Sequence, residues 1–85
     1  MKYRSKIATY ARETAPENAA RNNREGSRKS IENELEAEIE ILRNLQEDYY
    51  ALGNLDLAKA CTEEGLFLLK WWLAFREAMA ATETA

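Results

Sequence analysis

The segment Gly65-Leu-Phe-Leu-Leu-Lys-Trp-Trp-Leu-Ala-Phe75 decides how this chain must fold. Lys70 is its one charged residue. The stretch falls well short of the ~20 apolar residues that a membrane span needs. Placed on a helix at ~100° per residue, its side chains do not share one stripe. A main stripe runs Leu57, Cys61, Leu68, Trp71, Trp72, Phe75 and Met79. A second stripe, Leu66, Leu69, Leu73 and Ala80, lies roughly 120–180° around from Leu57. Only Lys59, Glu63, Lys70 and Glu77 form a clear polar strip. Such a helix needs cover on most sides. One antiparallel neighbour covers only one side, so the rest would form a large exposed patch on a monomer. The expected contact residues are Leu66, Phe67, Leu69, Trp71, Trp72 and Leu73. Tryptophans are what interface hot spots favour. The implied partners are a second copy, giving a homodimer or higher, and another protein.

Upstream, Ala51-Leu-Gly-Asn-Leu-Asp56 reads as a stop and a restart. Gly53 or Asn54 suits a left-handed C-cap and Asp56 suits the next N-cap. So short a connection makes its two helices antiparallel neighbours. The turn at Tyr49–Leu57 resembles that of a tetratricopeptide helix pair, but 85 residues hold no second copy, which excludes a repeat array. The preceding helix is expected from Ser30, a plausible N-cap, with Glu32 and Glu34 in its first turn. Ile31, Leu35, Leu42, Leu45, Tyr49 and Leu52 follow a heptad, broken at one seam position by Glu38. Ile39 and Ile41 widen the apolar face toward that of a bundle. The fold expected is an all-α antiparallel helical hairpin, with helices near 30–52 and 56–80, that dimerises into a helical bundle. Residues 1–29 are expected to form a basic arm and residues 30–85 the hairpin domain.

Composition agrees. Ala, Glu and Leu make up 37 of 85 residues, and valine is absent. Helix formers therefore dominate and strand formers are scarce. The net charge of −3 hides a bipolar chain. Residues 1–30 carry eight cations and three acids, whereas residues 31–85 carry four cations and twelve acids. Of 24 large apolar residues, 20 lie after residue 30, and residues 11–30 contain none. That stretch has little to bury against its ordering entropy, so the expectation is disorder, weak helicity or ordering by a partner. Local signals remain. Tyr3, Ile7, Tyr10 and Ala11 fall at helical spacing, Thr14-Ala-Pro-Glu17 fits a capping box, and Gly26 suits a helix stop near residue 25.

The acids Glu32, Glu36, Glu40 and Glu47 cluster on one stripe with Arg43. They read as a solvated face or as a docking strip for a basic partner, the chain's own arm being the nearest candidate. Arg21, Arg24, Arg28 and Lys29 form a sparse basic segment suited to phosphate contacts. This gives the second functional reading, a nucleic-acid-binding regulator built on a helical-hairpin dimer.

Catalysis is not expected. The chain has no histidine, phosphate loop, nucleophile elbow or metal motif, and a hairpin has little room for a pocket. Glu38 alone makes no carboxylate–histidine metal site. No cofactor or small-molecule ligand is implied. Cys61, the one cysteine, sits on the apolar stripe and reads as a small core residue. Gly65 reads as a tolerated imperfection or as the site of close approach by another helix. No secretory pattern or membrane span is seen, so the expected setting is cytoplasmic. The leading expectation is a small non-catalytic protein-interaction module, such as an adaptor, inhibitor or assembly subunit. Accessory proteins of phages and mobile elements belong to that class.

Overall fold

The turn that reverses the chain is built from backbone hydrogen bonds that only a left-handed residue permits. In a computed structural model describing residues 5–84, Gly53 has φ +77°, the region open to glycine. Its N–H donates to the Tyr50 carbonyl at 3.0 Å and the Asn54 N–H donates to the Tyr49 carbonyl at 2.8 Å. This is a Schellman closure of the preceding helix. Asn54 then opens the next helix, its Oδ1 accepting the Leu57 N–H at 3.2 Å. The N-cap is therefore Asn54, and Asp56, expected in that role, occupies the first turn.

Four helices follow in order: α1 (Lys6–Glu13), α2 (Pro16–Asn22), α3 (Glu25–Ala51) and α4 (Leu55–Thr84). No strand occurs among the described residues. No helix there is long and apolar enough to cross a membrane. The expected hairpin is α3 and α4, both longer than the sequence suggested. Ser30 does not cap α3. The helix starts at Glu25 behind Arg24, and Gly26 lies in its first turn rather than stopping a helix. Residues 25–29, assigned by charge to the arm, are thus part of the hairpin.

The arm itself is helical and packed. Ser5 caps α1, its hydroxyl accepting the Ala8 N–H at 3.1 Å. Ile7 and Ala11 are buried and Tyr10 is half-buried, as their spacing predicted; Ala8 is buried as well, and Tyr3 lies outside the described residues. The capping box does not form. Thr14 ends α1, and α2 starts at Pro16 behind Ala15, which makes no side-chain cap. The expectation that 11–30 lacks the means to order itself fails on its alanines. Ala11, Ala19 and Ala20 are 4%, 0% and 0% exposed, and their small side chains let α2 pack directly on α4.

One core unites all four helices. Ile31, Leu35 and Leu42 of α3 meet Cys61, Leu68, Trp71 and Phe75 of α4, closed over by Ile7, Ala8 and Ala11 of α1 and by Ala19 and Ala20 of α2. Glu38, at the heptad break, is buried beside them. The result is a rod 49 Å long and 19 × 18 Å in section.

Candidate interaction surface

Helix α4 divides its circumference among three environments. Leu68, Trp71 and Phe75 face inward and are essentially buried. Trp71 stacks on Phe75 with ring centroids 5.2 Å apart and makes a T-shaped contact with Tyr10 at 6.1 Å. Its indole Nε1 donates to the Thr14 carbonyl, which ties α1 to α4. A second side of α4 carries Phe67 and Glu64. Arg12 from α1 lies over the Phe67 ring at 4.8 Å and pairs with Glu64. The arm therefore covers part of the apolar surface that sequence analysis left open.

The third side has no cover among the described residues. Leu66, Leu69 and Leu73 are 51%, 40% and 55% exposed on successive turns. Leu55 falls on the same side, three turns earlier, and is also exposed. Beside these leucines runs a shallow, mostly apolar groove between α3 and α4, lined by Ile39, Leu42, Arg43, Gln46, Cys61, Thr62 and Gly65. A Cβ added to Gly65 would meet no atom within 4 Å. No neighbour within the molecule requires glycine there, although it costs the helix ~1 kcal/mol relative to alanine.

The six expected contact residues thus separate. Leu66, Leu69 and Leu73 are exposed together, Phe67 is half-buried under Arg12, and Trp71 belongs to the core. Trp72 is half-buried at the α3 side, where its Nε1 donates to Glu32 Oε2 at 2.7 Å. Arg76 reaches the same carboxylate at 3.4 Å.

Among the described residues, no arm cation pairs with the acidic strip. Glu32 is engaged by α4, Glu40 lies 3.9 Å from Arg43 of its own helix, and Glu36 and Glu47 are exposed. Arm cations go elsewhere: Arg12 to Glu64, Arg21 to Asn18 Oδ1 at 2.9 Å, and Arg28 to the Ala20 carbonyl. Arg24 and Lys29 remain exposed at the α2–α3 corner, with Glu25 between them. Arg28 is a clamp between α3 and α2 rather than an open contact.

Cys61 is 1% exposed on the core side of the groove, and burial pushes its thiol pKa up. That favours the protonated, unreactive form. Among the described residues no group of three His, Cys, Asp or Glu is placed to hold a metal.

Sequence reasoning missed the residues that set which side stays open: Thr14, Ala19, Ala20 and Glu64. One signal was available. A buried indole N–H needs an acceptor, so a tryptophan on an apolar stripe points to a nearby free carbonyl. No protein-family model, curated protein or solved structure matches the chain.

Proposed function

We propose that this chain is a small non-catalytic protein-interaction module whose contact face is the outer side of α4. The observation that carries the reading is the exposure of Leu66, Leu69 and Leu73 on successive turns beside the α3–α4 groove. These leucines are about half exposed, so covering each is worth ~1 kcal/mol, and the groove gives a partner's side chains somewhere to seat. The face is available without unfolding, because the arm's alanine-lined contact occupies a different side of α4. Adaptor, inhibitor and assembly roles all use such a face. Self-association into a larger bundle is part of this reading.

The test is affinity capture from cells of the source organism, with and without nuclease, comparing the wild-type chain with L69E/L73E. The reading expects nuclease-resistant protein partners that the double variant loses. Partners retained by L69E/L73E, or lost only on nuclease treatment, would contradict it. Nuclease-sensitive capture would turn attention to Arg21, Arg24 and Lys29.

A further inference from the structure

Glu63, Lys70 and Glu77 sit seven residues apart on one flank of the leucine strip. All three are exposed, and none pairs with another described residue. The opposite flank carries Ala58, Gly65, Trp72 and Met79 at the same spacing, and Arg76, which also falls on it, reaches Glu32 of α3 at 3.4 Å. Taking the α4 contact face proposed above as the binding surface, we infer that its occupant is a second copy of this chain, laid antiparallel across α4. Leu66 of each copy then packs against Leu69 of the other, and Glu63 of each pairs with Lys70 of the other.

The register follows from the pattern. In an antiparallel helix pair, like flanks meet, and a two-fold axis sets residues before it against residues after it. An axis between residues 67 and 68 places Leu66 opposite Leu69 and Leu73 opposite Thr62. On the charged flank it joins Glu63 to Lys70 twice. On the other flank it sets Gly65 near Trp72, where the missing Cβ leaves room for the close approach of the second helix. A parallel pair would set the flank of Glu63 and Lys70 against that of Gly65 and Trp72 and would lose both Glu63–Lys70 pairs. The centre of the surface is thus complementary to itself in its leucines and in the two Glu63–Lys70 pairs, which lie nearest the axis, while Glu77 and Asp56, alike in charge, meet only toward the ends of α4.

The test is sedimentation equilibrium of the full chain at micromolar concentration and low salt, with circular dichroism to confirm each variant's fold. Glu63→Lys and Lys70→Glu each create two like-charge contacts per dimer and are expected to weaken self-association about fivefold or more. An equimolar mixture of the two variants re-forms complementary pairs and is expected to associate as tightly as wild type, as is the double variant E63K/K70E. Glu77→Lys, which falls opposite Asp56 of the other copy, is expected not to weaken association. Single swaps that associate like wild type, or a mixture that fails to recover, would overturn the antiparallel register. If Leu69→Glu still abolished association in that case, the contact face would stand with another geometry. A wild-type chain that stays monomeric would overturn the second copy as occupant, and the capture comparison with L69E/L73E would judge the face separately.

Discussion

The indole Nε1 of Trp71 donates a 2.9 Å hydrogen bond to the carbonyl of Thr14, 57 residues away along the chain. Thr14 closes α1, so its carbonyl lacks an intrahelical partner, and the indole supplies one within the core. Trp71→Phe keeps most of the apolar contact but removes the donor. It is expected to cost ~1–2 kcal/mol in urea unfolding, whereas Trp71→Ala should cost ~3–5 kcal/mol. A Trp71→Phe variant as stable as the wild type would mean that the bond contributes nothing.

Ala19 has no exposed surface where α2 meets α4. Ala19→Leu is expected to destabilise the chain by ~1–3 kcal/mol through overpacking. Amide hydrogen exchange should show α2 losing protection before α3 and α4. Unchanged protection in α2 would contradict the alanine-mediated contact.

Arg12 pairs with Glu64 and covers Phe67, but its side chain is 36% exposed. Arg12→Ala is expected to cost no more than ~1 kcal/mol, because an ion pair this accessible is screened by water and salt. Thermal unfolding at low and high salt checks this, and the cost should shrink as salt rises.

Burial raises the Cys61 pKa above its ordinary value of 9.0. The folded state therefore favours the neutral thiol, while the unfolded state ionises first as pH rises. This group's contribution to stability is present below pH 9.0 and lost above it. At neutral pH, iodoacetamide should alkylate Cys61 slowly in the native protein and rapidly in denaturant. Fast native alkylation would show that the thiol is accessible.

The hairpin was legible because its determinants are local. Gly53 and Asn54 sit where a Schellman closure needs them, and the heptad from Ile31 to Tyr49 marks the buried side of α3. The arm was not legible from counts of large apolar residues. Its packing rests on Ala11, Ala19 and Ala20, whose value lies in close approach rather than in area, and which look the same on an exposed helix. Gly26 read as a helix stop because glycine is a poor helix former, yet α3 tolerates it in its first turn. Of the contact face, the leucines at 66, 69 and 73 were legible by periodicity. Periodicity put Trp71 on the other stripe, with Cys61, Leu68 and Phe75, yet both it and Phe67 were expected at the contact, because which side the arm covers is decided by contacts from Arg12 and Thr14.

The open leucine side of α4 is proposed to be covered by another copy of the chain. Sedimentation equilibrium of the wild-type protein alone, across the micromolar range, tests it most directly. The expected result is a reversible, concentration-dependent rise from 9.8 kDa toward twice that mass. A folded species fixed at 9.8 kDa over the whole range would contradict it.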